Sequence, residues 1–197
     1  MNERQPTEER RKQIALAALK IIAEQGLGKF TTSAIAKEVG LTDGALFRHF
    51  QSKEEIVLAI IDHIEERLFQ GFPPQGKDPL ERLGALIRRR LDFLSDNPFL
   101  VRLIFSEQLA QASGEQGVQK VREMQTRTIA FIRSSLDEAG KSGLIRDDLS
   151  VDDLTVIVHG AVFGAANRHL YENIIPRAAV KTLSKRLWPT LETLIRR

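Results

Sequence analysis

Apolar residues recur at spacings of three and four along nearly the whole chain, and this periodicity limits the possible folds more than any other feature. Such spacing places apolar side chains on one side of an α-helix, whereas the strict alternation typical of a strand is absent. Helix start signals stand between the apolar segments: Ser52 lies three residues before Glu55, and Asp78 precedes a proline. The sequence therefore predicts an all-α protein of about nine helices, at residues 7–25, 32–39, 43–49, 52–70, 79–95, 98–111, 115–140, 151–171 and 177–195.

Residues 71–77 are dense in proline and glycine and interrupt the helical pattern. A chain of 197 residues has room for a small helical domain and a larger one. We therefore expect two domains, residues 7–70 and residues 78–197, with the glycine- and proline-rich segment as the boundary.

The composition excludes several kinds of active site. The chain has no cysteine, which excludes disulfides, thiolate nucleophiles and cysteine-ligated metals. Its four histidines form no H-x-x-x-H or H-E-x-x-H pair, and neither a phosphate-binding glycine loop nor a nucleophile elbow is present. The sequence predicts no catalytic residue, no metal site and no cofactor.

The longest uncharged run, residues 154–167, is too short to span a bilayer. The first residues also lack the apolar segment of a secretory signal. We therefore expect a cytoplasmic protein with no membrane partner.

The net charge is +3 with a pI near 9.3, which is only weakly suggestive of nucleic-acid binding. Residues 1–70 carry 10 Lys and Arg against 11 Asp and Glu, a net charge of −1. The overall charge therefore does not identify the N-terminal part as a DNA-binding domain, and the local pattern has to be considered.

Residues 31–50 have the pattern of a helix-turn-helix, in which a short helix is broken sharply and followed by a second one. Thr31 and Thr32 can cap the first helix, and Gly40 suits a left-handed position at its end. Thr42 can cap the second helix. The side chains expected to point inward are Ile35, Ala36, Val39, Leu41, Leu46 and Phe50, with Phe30 in the same core.

The outward side chains of the second helix are the candidate DNA contacts: Thr42, Gly44, Ala45, Phe47, Arg48 and His49. Arg48 can bind guanine through two hydrogen bonds or contact a phosphate, and the sequence leaves both possibilities open. Lys53 begins the next helix at an expected phosphate site. Thr31, Thr32 and Ser33 complete the candidate DNA-binding set.

The stretch Thr31–Phe50, followed by Ser-Lys-Glu-Glu, resembles the DNA-binding domain of the TetR family of bacterial transcription regulators, over about residues 8–67. This resemblance implies an N-terminal three-helix domain that binds double-stranded operator DNA, palindromic in a homodimeric regulator. Thr42, His49 and Lys53 match usual DNA contacts of the family. Phe47 stands where the family usually has tyrosine, so one phosphate hydrogen bond is missing.

The resemblance also implies that the larger helical domain binds a small-molecule effector and forms the homodimer, which describes a repressor released by its ligand. An activator of the same fold, and a helical ligand-binding protein without a DNA role, are alternatives. We expect the last two helices to form the dimer interface, because residues 160–166 make a small-residue face and leucines recur along the last helix. The same residues would equally suit an internal core.

Residues at helical spacing in this domain are candidates for an effector pocket, although any of them would also suit a plain core. They are Arg102, Phe105, Met124, Arg127, Phe131, His159, Phe163 and Asn167. Three consecutive arginines, at 88–90, point in directions spread over about 200° on a helix, so we expect a solvated face rather than a second nucleic-acid site, with ion pairing as an alternative.

Overall fold

The computed structural model of the protein describes residues 7–97, 100, 112–167, 171, 174–176 and 182–197. Within these residues the chain is all-α, as predicted, and its extended pairing is confined to a single bridge between Ile145 and Arg196. A short 3-10 helix, Leu27–Lys29, follows the first α-helix. The α-helices are α1 Thr7–Gln25, α2 Thr32–Glu38, α3 Asp43–Leu46, α4 Lys53–Phe69, α5 Pro79–Asp96, α6 Gly114–Lys141, α7 Val151–Ala166 and α8 Leu183–Ile195. The predicted helix at 98–111 falls outside the described residues, apart from Leu100.

Two helices are shorter than the sequence predicts. The predicted helix 43–49 ends at Leu46, because His49 N–H bonds to the Leu46 carbonyl three residues back and the chain tightens into a 3-10-like turn. The predicted helix 151–171 ends at Ala166, where the Asn167 side-chain amide donates to the Phe163 carbonyl at 2.9 Å. That side-chain bond competes with the backbone bonds that would continue the helix.

The chain divides into two compact units. Among the described residues, the first contains 7–68 and 112–123, and the second contains 69–97, 100, 124–167, 171, 174–176 and 182–197. Helix α6 therefore contributes residues to both units.

The core of the first unit is built on one face of α1. Its buried residues are Ile14, Ala15, Ala18, Leu19, Ile21 and Ile22. Phe30, Ile35, Leu46 and Phe50 are each at most 3% exposed, as expected of the inward set. The predicted α1 stripe also included Gln25, but this residue is exposed at the end of the helix, just before Gly26 adopts a positive φ of 82°.

The core of the second unit is assembled from α5, α6, α7 and α8. Asp78 starts α5 by accepting a hydrogen bond from the Glu81 N–H at 2.8 Å, and the Glu81 carboxylate accepts from the Lys77 N–H at 2.7 Å. This reciprocal cap satisfies two N–H groups that the helix leaves free. The buried cluster contains Leu80, Leu83, Ile87, Leu91, Ile132, Leu136, Ala139, Ile145, Leu154, Val158, Trp188, Leu191 and Ile195.

Gly84 on α5 allows the chain's single tryptophan, which lies on α8, to pack closely against α5. Trp188 is 1% exposed, and a methyl group on Gly84 would lie only 2.6 Å from its Cδ1 atom. Because the indole is enclosed on its other sides by the cluster, it cannot move away without opening space elsewhere.

We predict that Gly84→Ala lowers the free energy of unfolding by about 1–3 kcal/mol, the usual cost of overpacking a core. The matched control is Gly140→Ala on α6, where a methyl group would meet Ile145 Cδ1 at an ordinary 3.6 Å. This control should be neutral or slightly stabilising because alanine favours a helix. Urea denaturation followed by far-UV circular dichroism measures both, and equal stability of the two variants would contradict the prediction.

Candidate functional site

The break between α2 and α3 is a glycine turn, as the sequence predicts. Gly40 has φ +67°, its N–H bonds to the Lys37 carbonyl at 3.3 Å, and the Leu41 N–H bonds to the Ala36 carbonyl at 2.8 Å. This pair of bonds ends a helix on a left-handed residue and satisfies its last carbonyls. The chain can therefore change direction within two residues.

Two threonines start the two short helices. Thr31 Oγ1 accepts from the Ala34 N–H and Thr42 Oγ1 accepts from the Ala45 N–H, each at 3.2 Å. Thr32, which the sequence left as an alternative cap, is the first residue of α2. A hydroxyl that accepts from the backbone still has its own proton to donate. Thr42, which is exposed, can therefore cap α3 and contact a phosphate at the same time.

Ser33 links the two short helices directly. Its hydroxyl donates to Asp43 Oδ2 at 2.7 Å, from the first turn of α2 to the first residue of α3. The negative charge of Asp43 at the start of α3 also favours the helix dipole. Ser33, predicted as a DNA contact, thus has a structural partner as well as an exposed position.

The outward face around α3 has the composition expected for groove insertion. Gly44 is exposed, with no atom within 4 Å of where its β-carbon would lie, and Phe47 is 48% exposed. Arg48 is exposed, whereas Ala45 and His49 are half-buried. The first turn thus presents small side chains to solvent, and an aromatic and a guanidinium side chain follow it.

His49 and Lys53 have neighbours within the unit. His49 Nδ1 is buried and has no hydrogen-bond partner among the described residues, so a contact of the ring with DNA must use Nε2. Lys53 begins α4 with its ammonium 4.8 Å from the centre of the Phe30 ring. This cation–π contact holds the lysine beside the start of the helix.

Two arginines that the sequence analysis missed support the helix-turn-helix from α1. Arg10 Nη2 donates to the Val39 carbonyl at 3.1 Å, and Arg11 donates to the His49 carbonyl. Arg11 also lies over the Phe50 ring, 4.1 Å from its centre. These contacts join residues 29 and 38 positions apart, and no spacing rule within a helix predicts them.

Two candidate pocket residues, Arg127 and Phe131, contact the same ring in the second unit, that of Phe72. The Arg127 guanidinium lies 4.2 Å from the Phe69 ring centre and 4.8 Å from that of Phe72, and Phe131 packs edge-on against Phe72 at 5.0 Å. Met124, 5% exposed, accepts a hydrogen bond through its carbonyl from the Thr128 hydroxyl at 2.8 Å.

The other candidate pocket residues are placed differently. His159 is half-buried, and burial together with the nearby Arg90 charge lowers the pKa of its imidazole. Phe163 is 42% exposed, and Asn167 ends α7 against the Phe163 carbonyl. Arg102 and Phe105 lie outside the described residues.

The expectation of a solvated face at residues 88–90 is wrong for Arg90. Arg88 is exposed, whereas Arg89 and Arg90 are half-buried. The Arg90 Nε and Nη2 atoms are buried, and Nη1 donates to Thr128 Oγ1 at 2.8 Å. The cause is geometric, because two residues along a helix turn the side chain by about 200°. If Arg88 faces solvent, Arg90 faces the core.

Two family profiles match the chain. "Bacterial regulatory proteins, tetR family" matches residues 14–60, and "Tetracyclin repressor-like, C-terminal domain" matches residues 79–188, which is more than half of the chain. The chain belongs to the TetR family.

Individual relatives of this TetR protein agree with the family match. "Nucleoid occlusion factor SlmA" of Haemophilus influenzae is 32% identical over 141 residues, 66% of this chain and 64% of the relative, so the match spans less than two thirds of that protein. The protein of the same name from Marinomonas sp. is 28% identical over 196 residues, 95% of this chain and 93% of the relative.

A solved structure from Saccharomonospora viridis, a putative transcriptional regulator in complex with choline, has the same fold. Its TM-score is 0.78 at 21% identity, and the superposition covers 96% of this chain and 99% of that one.

The described part of the TetR protein contains no helix long and apolar enough to cross a membrane. Over the same residues, no three or more His, Cys, Asp or Glu side chains lie close enough together to bind a metal ion.

We predict that Arg11→Ala lowers the free energy of unfolding of this TetR protein by about 1–2 kcal/mol, because a charged hydrogen bond and a cation–π contact are lost together. Urea denaturation checks the value, and Arg48→Ala is the control because Arg48 is exposed. If Arg11→Ala were as stable as the control, the support from α1 would not contribute to the fold.

Proposed function

We propose that this TetR-family protein is a transcription regulator whose residues 7–70 bind operator DNA and whose residues 78–197 bind an effector and form a homodimer. The turn at Gly40 carries the DNA-binding part of the proposal, because it presents a capped second helix with a small, exposed first turn. A dimer would place two such helices in successive major grooves of a palindromic site, about 34–36 Å apart. A protein with this role works in the cytoplasm, where the chromosome is.

The charge of the N-terminal part makes the proposal depend on local groups. Residues 1–70 have a net charge of −1, so they cannot attract DNA as a whole. Exposed Arg48 and Lys53 are then the main electrostatic contacts. Phe47 can pack against the backbone of the DNA but has no hydroxyl to donate to a phosphate.

We expect Arg48→Ala to weaken binding to a duplex selected from random DNA with the wild-type protein, by about 1–3 kcal/mol of binding free energy. Fluorescence anisotropy at several KCl concentrations measures both affinity and salt dependence. A phosphate contact would reduce the salt slope by about one and weaken all duplexes alike. A guanine contact would instead relax the preference at one base pair.

The control is Arg88→Ala, which removes an exposed arginine from α5 and should leave DNA affinity unchanged. If selection enriched no sequence, and Arg48→Ala bound random DNA as tightly as the wild type, the DNA-binding proposal would be wrong.

We propose that the homodimer forms through α7 and α8. Val156, Ile157 and Phe163 on α7 are 72%, 53% and 42% exposed, and Leu194 on α8 is 61% exposed. Gly160 lies between them with no atom within 4 Å of its β-carbon position, so a second helix can approach closely. An apolar face of this kind on two neighbouring helices supports a four-helix interface between two copies.

Ile157→Glu should shift the protein from dimer to monomer in native mass spectrometry, because the interface would have to bury an unpaired charge. It should also weaken binding to the selected palindromic duplex, since a monomer contacts only one half-site. The control is Leu16→Glu on α1, which alters another exposed apolar residue, 41% exposed. A dimeric Ile157→Glu variant would rule out this interface.

The regulatory part of the proposal is release of the operator by a small molecule. An effector can do this only by binding more tightly to a conformation whose two DNA-contacting helices no longer match the groove spacing. That a regulator of this fold was solved in complex with choline supports a small-molecule site in the fold. An activator of the same fold is distinguished by a reporter assay in a strain that lacks the gene.

The relatives favour a second candidate, a role in nucleoid occlusion. The support is the 28% identity to a nucleoid occlusion factor over 95% of this chain. A deletion strain separates the two roles. Changed transcription of genes beside the bound DNA supports the regulator, whereas unchanged transcripts together with division septa across the nucleoid support the second role.

A further inference from the structure

The second unit holds a guanidinium with a buried edge that no described residue satisfies. Arg90 Nη1 donates to Thr128 Oγ1 at 2.8 Å, but its Nε and Nη2 atoms are buried and have no hydrogen-bond partner among the described residues. Nε and Nη2 together form one edge of the guanidinium, with two parallel N–H bonds spaced to match the two oxygens of a carboxylate. These two N–H groups, called the Arg90 fork below, can therefore bind one carboxylate through two hydrogen bonds.

The orientation of this fork is fixed from α6. The Thr128 side chain is 7% exposed, and its hydroxyl donates its only proton to the Met124 carbonyl at 2.8 Å. The hydroxyl can then only accept from Arg90. Arg90 is also 4.9 Å from the centre of the Phe69 ring. A ring and a hydroxyl thus hold the guanidinium, while its Nε and Nη2 atoms have no partner among the described residues.

Within the described part of the chain, the charged groups that shift the pKa of Arg90 are positive and do not neutralise it. Burial, Arg89 and Arg127 lower the pKa of Arg90 to about 10, and no carboxylate of the described residues is among the causes. Arg89 contributes a further buried nitrogen, Nη2, without a partner in the described part of the chain, while its Nη1 donates to the Gly71 carbonyl at 3.2 Å. His159 is held toward its neutral form by burial and by Arg90.

Aromatic rings lie beside this positive cluster. Arg127 stacks on Phe69 and Phe72 at 4.2 and 4.8 Å, and Phe72 meets Phe131 edge-on at 5.0 Å. Cation–π contacts are weak compared with the cost of removing a charge from water, so they do not replace an anion. They do provide an apolar surface next to the fork.

We propose that Arg90 binds the carboxylate of the effector, assisted by Arg89, and that the apolar body of the effector lies against Phe69, Phe72 and Phe131. The proposal rests on the effector role proposed for residues 78–197 and extends that site to Phe69 and Phe72, which belong to the same compact unit. It names the chemical class of the ligand: a monocarboxylate with an apolar, preferably aromatic, body. Thr128 is a positioning residue that acts through Arg90.

The first test measures the stability of a variant without ligand, so the natural effector does not have to be known. Arg90→Met replaces a cation that has no carboxylate partner in the described ranges by an apolar side chain of similar length, so the ligand-free protein should melt at a higher temperature than the wild type. Arg88→Met, an exposed arginine on the same helix, is the control and should change little. A lower melting temperature for Arg90→Met would mean that Arg90 is paired within the chain, and would overturn the proposal.

A second experiment measures melting temperatures with phenylacetate, benzoate or decanoate, and each carboxylate is compared with its neutral amide. At saturation a carboxylate should raise the melting temperature of the wild type by about 5 °C or more, while its amide should not. In Arg90→Met the dissociation constant for that carboxylate should rise about thirtyfold or more. Equal stabilisation by the amides, or by inorganic phosphate alone, would overturn the assignment of an apolar carboxylate.

DNA binding separates this inference from the proposed function. Arg90→Met should still bind the selected duplex, and a binding carboxylate should release the wild type but not the variant. If the wild type bound no DNA selectively, the proposed function would fail while the melting experiments still tested the site. If DNA binding were intact and Arg90→Met bound carboxylates like the wild type, the inference alone would fail.

Discussion

The turn at Gly40 is the constraint on which the DNA-binding unit depends. A residue with a β-carbon is strained at φ +67°, whereas glycine adopts this conformation freely. Helix α2 has only seven residues and α3 only four, so neither would be stable in isolation. Their relative position follows from this turn, from the Ser33–Asp43 hydrogen bond and from packing on α1. The exposed face is thus set by two backbone hydrogen bonds, one side-chain hydrogen bond and packing in a small core.

Local signals in the sequence predicted most of the fold because caps and breaks act over three or four residues. Thr31, Thr42, Ser52 and Ser150 all accept the capping bonds that their spacing indicates. The same rules were insufficient where the chain departs from an ideal helix. The turn after Leu46 keeps hydrogen bonds three residues apart, and helical periodicity cannot distinguish such a turn from a further helical turn.

The candidate sites differ in how far the sequence could predict them. The outward face of the second short helix follows from Leu46 and Phe50, four residues apart and both 1% exposed. The guanidinium cluster depends on Phe69 and Thr128, which lie 21 and 38 residues from Arg90 in sequence. The sequence did show that the side chains of the three arginines at 88–90 point in directions spread over about 200° around the helix. It indicated that the three cannot share one face, but not which of them would be buried.

A buried guanidinium edge with no carboxylate partner among the described residues is an expensive feature for a unit of this size to keep. Its desolvation costs several kcal/mol, while a hydrogen bond to a hydroxyl and a stacked ring recover only part of that. The apolar cluster of α5, α6, α7 and α8 is the stabilising feature of the unit against which the remainder has to be set. An anion that satisfies Arg90 would then stabilise most the conformations in which Arg90 is buried. An effector shifts a regulator between two conformations only if it binds one of them more tightly than the other. The same side chain would therefore select the charge of the ligand and couple its binding to the conformation of the unit.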